Sequence, residues 1–376
     1  MAGIYLHIPF CKKACHYCNF HFSTNLSLKD KMIHAMVQEI HLRSHILTGM
    51  TVETIYFGGG TPSILKEEDI QLLLNAIKNK ISKEKLKLIE VTIEANPDDI
   101  TLEKITTWKK MGINRVSLGI QSFSDQELRY MNRSHDHSQS LQSIELLRSM
   151  GISLSVDLIY GGPYTDDATL LQAVDTILSY EIPHISAYNL TIEEGTAMGN
   201  WLQKGKIQPV DDIRSARQFE LIIQRLAESG YHHYEISNFA LPDAYAIHNT
   251  NYWMGQPYLG IGPSAHSYDG ERLRSWNISN NALYIKHIEE GTPFVTEEKL
   301  SETELVNEYL MIRLRTMWGF EKKDLLLRFP TYGDSILSSI ARDPLTKFFK
   351  DEDGYLKLNA TGKPLADRII SELFIV

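Results

Sequence analysis

The chain has 376 residues and carries 38 Lys+Arg against 47 Asp+Glu. The resulting net charge of −9 opposes unspecific attraction to nucleic acid or anionic lipid. Composition is ordinary for a globular protein, and the length exceeds what one simple core holds, so a large α/β unit plus a smaller domain is expected. No apolar run approaches the roughly 20 residues that span a bilayer. The chain enters Ile4-Tyr5-Leu6-His7-Ile8 without a basic, then apolar, leader, and a cytoplasmic protein is expected.

In chain order, extended runs alternate six times with amphipathic helical patterns. The extended runs are Gly3–Pro9, Thr54–Gly59, Leu88–Ala95, Arg115–Ser122, Ser153–Gly161 and His184–Thr191. In the first helix Leu28, Met32, Met36 and Ile40 share a face beside Ile33 and Val37, with Ser27 followed by Asp30 as the expected cap. The second places Ile70, Leu73, Leu74 and Ile77 inward, and the fifth Leu170, Leu171, Val174 and Ile177. Met111-Gly112-Ile113 and Met150-Gly151-Ile152 each close a helix on a glycine suited to a left-handed cap. Strands apolar on both faces, each followed by a helix, indicate a parallel sheet covered by helices. The pattern alone does not choose between a partial barrel and a doubly wound sheet.

After residue 191 the rhythm stops, and a domain boundary is placed between residues 1–195 and 196–376. A helix is expected over Asp211–Ser229, then an aromatic extended run, Tyr231–Ile236, and an ordered loop or short hairpins over residues 241–280. Helices follow around Asn281–Glu290, Glu302–Met317 and Glu321–Phe329, then a turn at Gly354–Leu358 and a final helix. Helices followed by a short hairpin resemble a winged-helix unit. With the acidic charge balance, a packing role is favoured over nucleic-acid binding, and no nucleic-acid partner is expected.

All three cysteines lie in Cys11-Lys12-Lys13-Ala14-Cys15-His16-Tyr17-Cys18, just after the first extended run. They cannot form a disulfide framework. Three thiolates so spaced suit three irons of a [4Fe–4S] cluster and leave the fourth iron open to a ligand. Zinc with His16 or His21 as fourth ligand, and a redox pair at Cys15 and Cys18, remain alternatives on spacing alone. The three residues between Cys11 and Cys15 exclude the c-type haem signature. Ligands in such folds gather at the C-terminal ends of parallel strands. Those ends offer Gly58-Gly59-Gly60-Thr61-Pro62, Glu94 and Asn96, Gln121 and Ser122, and Asp157 with Gly161-Gly162-Pro163, with Arg133 on the loop after the fourth strand.

The Cys11-x3-Cys15-x2-Cys18 spacing, with Tyr17 before the last cysteine, resembles the radical S-adenosylmethionine (SAM) superfamily motif. Tyr5-x-His7-Ile8-Pro9-Phe10-Cys11, Gly58-Gly59-Gly60-Thr61-Pro62 and His248-Asn249-x-x-Tyr252-Trp253 resemble the oxygen-independent coproporphyrinogen III oxidase group over nearly the whole chain. The resemblance implies a partial (β/α)6 barrel of α/β class with an α+β C-terminal domain. It implies that Cys11, Cys15 and Cys18 ligate three irons while SAM chelates the fourth. Gly59, Gly60 and Thr61 would hold the SAM amino group, and Tyr5 and Glu94 would contact SAM. Gln121, Arg133 and Asp157 match positions at the nucleoside and carboxylate portions, and Tyr17 lies near the adenine.

That group divides. The oxidases resemble Cys-x3-Cys-x2-Cys-x-Cys, but here the fourth cysteine is replaced by Phe20. They also carry an extension before the first strand, which here begins near residue 3. The remaining resemblance is to the HemW-type haem chaperones. It implies haem as cargo and apo-haemoproteins as recipients, respiratory proteins at the membrane among them. A one-electron donor such as a flavodoxin or ferredoxin, and peripheral membrane association, belong to the same expectation. His248 beside Tyr252 and Trp253 is the expected axial ligand, with His7, His232, His233 and His266 as rivals. The alternative is an enzyme that oxidatively decarboxylates coproporphyrinogen III to protoporphyrinogen IX using SAM. A zinc-bearing DNA-binding protein is a third reading, resting on the winged-helix pattern.

Overall fold

A computed structural model describes all residues, Met1–Val376. The six expected strands form: β1 (Ala2–Ile8), β2 (Val52–Gly59), β3 (Leu86–Ala95), β4 (Arg115–Gln121), β5 (Ser153–Tyr160) and β6 (His184–Asn189). They lie side by side in chain order, every neighbouring pair parallel. Sequential order resolves what periodicity left open, because a doubly wound sheet reverses its strand order partway. The sheet is an open arc of a barrel.

The crossovers are α1 (Lys29–Arg43), α2 (Glu67–Lys80), α3 (Leu102–Met111), α4 (Asp125–Tyr130) with α5 (His137–Ser149), and α6 (Asp167–Ser179). Each turns an apolar face inward: Met32, Ile33, Met36 and Ile40 from α1 join Ile70, Leu73, Leu74 and Ile77 from α2 in one core. Gly112 ends α3 at φ +95°, the left-handed cap expected there. The start of α1 differs from expectation. A single 3-10 turn, Leu26–Leu28, precedes it, and the Asn25 side chain accepts from the Ser27 N–H, so Asn25 caps this turn and not Ser27.

Beyond β6 come α7 (Ala197–Gln203), α8 (Asp212–Glu228), β7 (His232–His233), β8 (Asn238–Ala240), α9 (Ile247–Trp253), β9 (Tyr258–Ile261), β10 (His266–Tyr268), β11 (Leu273–Asn277), α10 (Asn281–Glu290) and β12 (Val295–Lys299). The passage over residues 241–280 holds the expected short hairpin, β10 with β11, together with the helix α9 and the strand β9. Its strand β9 pairs parallel to β1, so this segment extends the sheet on its free edge. A buried ion pair locks the extension: Arg43 binds Glu39 at 2.8 Å and Asn277 at 3.0 Å, and Glu39 accepts from the Gly262 N–H at 2.7 Å. No short-range pattern announces that contact, because its partners lie more than 200 positions apart in the chain.

The last unit holds α11 (Glu302–Leu314), β13 (Phe320–Glu321), α12 (Lys322–Arg328), α13 (Gly333–Ile340), β14 (Phe349–Glu352), β15 (Tyr355–Leu358) and α14 (Ala366–Leu373), with sheet order β13-β15-β14. This helix–strand–helix–helix–hairpin order is that of a winged helix. One core runs from Ala2 to Ile288 and another from Val306 to Leu373. Packing thus divides near residue 300. The 195/196 boundary marks the end of the sixth β-strand repeat, because β7 to β12 continue the same sheet. The α13 helix contains no Lys or Arg, and Lys350 and Lys357 of the hairpin are paired with Glu352.

Candidate functional site

The C-terminal ends of β1 to β6 open on a cavity of about 560 Å³. The cysteine loop leaves β1 and is tethered on three sides. Cys11 donates its N–H to the Ser23 carbonyl at 3.0 Å, and the Ala14 carbonyl accepts from Asn132 Nδ2 at 2.7 Å. His16 donates its N–H to the Met131 carbonyl at 3.1 Å and accepts at its carbonyl from the Met198 N–H at 3.0 Å. Lys12 pairs with Asp98 at 3.0 Å and with Asp99. The loop is therefore held in place before any ligand arrives, and all three thiols line the cavity.

Burial pushes the Cys11 thiol up to about 11, against the pull of Thr61 and Arg133, and raises Cys18. Both are protonated at neutral pH, so iron binding has to displace those protons. No three His, Cys, Asp or Glu side chains converge on a single ion. This geometry disfavours the zinc alternative, whereas the corners of a cubane do not require convergence. His16 and His21 each spend one ring nitrogen, Nδ1 on the Tyr130 carbonyl at 2.8 Å and Nε2 on Asn281 at 2.7 Å.

Arg133 is the inner cation of the site, with the exposed Lys13 also on the lining. One guanidinium nitrogen, Nη1, faces Cys15 Sγ at 3.3 Å and the Tyr17 hydroxyl at 3.4 Å. The other, Nη2, donates to Asn96 Oδ1 at 2.6 Å and to the Gly119 carbonyl at 2.7 Å. Its Nε is buried with no partner. A planar fork fixed beside thiolates offsets their negative charge and leaves a donor for a carboxylate.

Glycines make the opposite wall. A Cβ on Gly60 would lie 2.6 Å from the Phe10 carbonyl oxygen, and Gly59 holds φ +107°. The N–H groups of Gly59, Gly60 and Thr61 are all spent, on Glu94 Oε2, the Ile8 carbonyl and the Phe10 carbonyl. What this wall offers an ammonium is therefore acceptors, the Gly60 carbonyl among them. Glu94 accepts from the Tyr56 hydroxyl at 2.9 Å and from Gly59 at 3.1 Å. Burial, with Asp157 nearby, raises its carboxyl to about 7 against those two hydrogen bonds. Burial raises Asp157 as well, although Ser117 donates to it at 3.3 Å. Gln121 ends β4 at φ +68°, where the ladder to β5 shifts register.

Of the expected residues, Cys11, Cys15, Cys18, Tyr17, Gly59, Gly60, Thr61, Glu94, Gln121, Arg133 and Asp157 are brought together around this cavity. Tyr5 is not on its surface. It lies behind the glycine wall, stacked on Tyr56, with its hydroxyl 3.2 Å from His7 Nδ1. Tyr188 and Asn189, at the end of β6, line the cavity and went unnoticed in the sequence. The rule applied to the other strand ends would have found them. Phe20, at the rim, is 68% exposed.

His248 is elsewhere. It sits on α9 inside the barrel, beside Gly3 and Thr54 at the N-terminal ends of β1 and β2, away from the cavity. Its Nδ1 meets Thr54 Oγ1 at 2.8 Å, its Nε2 meets the Tyr252 hydroxyl at 2.7 Å, and its ring stacks on Tyr56. Burial drives its imidazole down to about 3. Both nitrogens being engaged, His248 has no free lone pair for an iron in this fold. His7 is engaged likewise and His233 is half-buried, whereas His266 is exposed and has no hydrogen-bond partner, and the exposed His232 uses only Nδ1, on Tyr245.

Residues 5–177 match the radical SAM superfamily. The chain is 33% identical to the heme chaperone HemW of Bacillus subtilis (strain 168), over 98% of both chains. It is 32% identical to the heme chaperone HemW of Mycobacterium tuberculosis, over 99% of this chain and 94% of that one. A solved structure of the Escherichia coli coproporphyrinogen III oxidase HemN, described as a radical SAM enzyme, shares the fold. Its TM-score is 0.83 at 22% identity, covering 99% of this chain and 90% of that one.

Proposed function

From the premise that this chain belongs to the HemW branch of the radical SAM superfamily, we propose that it is a haem chaperone whose cavity holds a SAM-coordinated [4Fe–4S] cluster. Cys11, Cys15 and Cys18 would ligate the cluster, which supplies one-electron chemistry when bound. Arg133 offsets the thiolate charge and offers Nε to the SAM carboxylate. The acceptor-rich glycine wall with Glu94 would take the N–H donors of the SAM amino group, and Tyr17, Gln121 and Asp157 would border the nucleoside. Haem is the cargo, apo-haemoproteins receive it, and a small one-electron carrier reduces the cluster.

The observation that carries this reading is the loop composition. Three tethered thiols are followed by an exposed Phe20 in place of a fourth, and the relatives matched over full length are named haem chaperones. An exposed aromatic beside a metal loop offers apolar surface to a planar macrocycle. No helix is long and apolar enough to cross a membrane. Association with a membrane would therefore rest on surface contact or on a partner.

The test is anaerobic. With the cluster reconstituted, haem titration is expected to shift the Soret band and transfer to an apo-haemoprotein is expected to follow, with no carbon dioxide released from coproporphyrinogen plus SAM. Sustained SAM-dependent decarboxylation would overturn the chaperone reading in favour of the oxidase.

A further inference from the structure

A second cavity of about 420 Å³ adjoins the first, and Leu190 lines both. A small apolar cluster of Met131, Ile159, Leu190 and Met198 touches both: Tyr17, which packs against it, lines the first cavity, and Ile192, Ile207 and Val210, which also pack against it, line the second. Tyr130 and Tyr164, edge to face at 5.4 Å, add an aromatic wall. This is an apolar, aromatic lobe with two cations on its lining, Lys206 and Arg214.

Neither cation forms an ion pair, although the buried acid Glu127, its carboxyl raised by burial, is near enough to Arg214 for the guanidinium to draw it down. Arg214 donates from Nη2 to the Gly161 carbonyl at 3.0 Å, its Nε is buried without a partner, and it makes no ion pair. Asp211, also on the lining, spends an oxygen capping α8 through the Arg214 N–H at 3.0 Å. Glu127 accepts on one oxygen, Oε2, from the Tyr164 N–H and the Thr165 hydroxyl, both at 2.9 Å, while its Oε1 is buried without a partner. Lys206 is exposed and forms no ion pair. A buried guanidinium N–H without an acceptor is costly and rare in a finished fold. An apolar, aromatic pocket with two cations on its lining outside any ion pair suits a carboxylate-bearing amphipathic ligand.

We propose that this lobe takes the carboxylate-bearing edge of the cargo, with Arg214 and Lys206 binding the propionates of the tetrapyrrole while its apolar face lies on Tyr130, Tyr164 and Ile207. The inference rests on the haem reading above and adds the site and polarity of cargo binding, which cluster and SAM residues do not specify. Release would then be controlled by groups outside the cluster pocket.

The test uses the full chain with its cluster, haem, and haem dimethyl ester, in which both propionates are capped. Arg214→Gln and the exposed-site variant Lys206→Glu are each expected to weaken haem binding about tenfold. The diester is expected to bind the unsubstituted protein as weakly as haem binds the variants, and to ignore both substitutions. SAM affinity and the iron–sulfur absorbance should stay unchanged, which also reports folding. Should Arg214→Gln fail to fold, Lys206→Glu with the diester comparison decides alone. Equal affinity for haem and diester, or haem affinity unmoved by Lys206→Glu, overturns the inference while leaving the chaperone reading intact. Loss of SAM affinity instead of haem affinity would assign the cations to the SAM carboxylate and also overturn it. No haem binding by the unsubstituted protein would overturn the reading beneath it.

Discussion

Replacing His248 by Ala tests whether the His248-Asn249-x-x-Tyr252-Trp253 motif carries haem or carries the barrel. The substitution removes a buried ring and leaves two buried hydroxyls, Thr54 Oγ1 and Tyr252 Oη, without their partner at 2.8 and 2.7 Å. Each orphaned group costs about 1–3 kcal/mol. With the two groups at the low end of that range and about 1 kcal/mol for the space left beneath Tyr56, the loss is about 3 kcal/mol or more. At roughly 2–4 °C per kcal/mol for a domain of this size class, melting should fall by about 10 °C. Tyr56 would keep Tyr5 but lose the closer of its two stacking partners, and Tyr56 orients Glu94, so SAM affinity should weaken a few-fold. The assay pairs thermal melting with the electron paramagnetic resonance of bound haem, using His266→Ala and His232→Ala as controls. His248→Ala is expected to be less stable with an unchanged axial-ligand signature. An altered haem signature with unchanged melting would refute this account and return His248 to the iron.

Three further outcomes follow from the same geometry. Glu94 is held near 7, so a cationic ligand at the glycine wall meets a carboxylate only as pH rises through that value. SAM should bind more tightly at pH 8 than at pH 6, and Glu94→Gln should flatten that dependence in equilibrium dialysis. Gly60→Ala places a Cβ 2.6 Å from the Phe10 carbonyl, and denaturant melts should show a loss of about 1–3 kcal/mol together with weakened SAM binding. Unchanged affinity would mean the wall is not the ammonium site. His7, His135 and His233 are pushed down by burial to about 4, and His248 to about 3, from a usual 6.5. Between those values the unfolded chain binds protons that the folded one refuses. Stability should therefore be intact above about pH 6.5 and fall as pH drops towards 4, by up to about 1.4 kcal/mol per unit for each histidine. Glu94 and Glu235, raised to about 7, act in the opposite sense over part of that range, so the check is made on the rings themselves: imidazole NMR signals that titrate near 6.5 in the folded protein would show that these rings open to solvent.

Local chemistry was readable wherever neighbouring residues carry it. The thiols at 11–18, the glycines at 58–60 and each pair of polar residues at a strand end are sets whose members lie within a few positions of one another. A parallel strand delivers its C-terminal residues to one rim whatever the rest of the chain does. The repeat of apolar strand and amphipathic helix was legible for the same reason, since each face is set by a period of two or 3.6 residues. Long-range packing decided the rest. That β1 to β6 pair in chain order, and that β9 returns to lie beside β1, depends on contacts such as Arg43 with Asn277 that no window contains. The fate of His248 is the clearest case. Beside Tyr252 and Trp253 a histidine reads as a ligand, and only the fold places Thr54, from a strand 194 positions earlier, on its remaining nitrogen. A side chain's type announces which bonds it can make, but burial and the partners that arrive from elsewhere determine which it has left to offer.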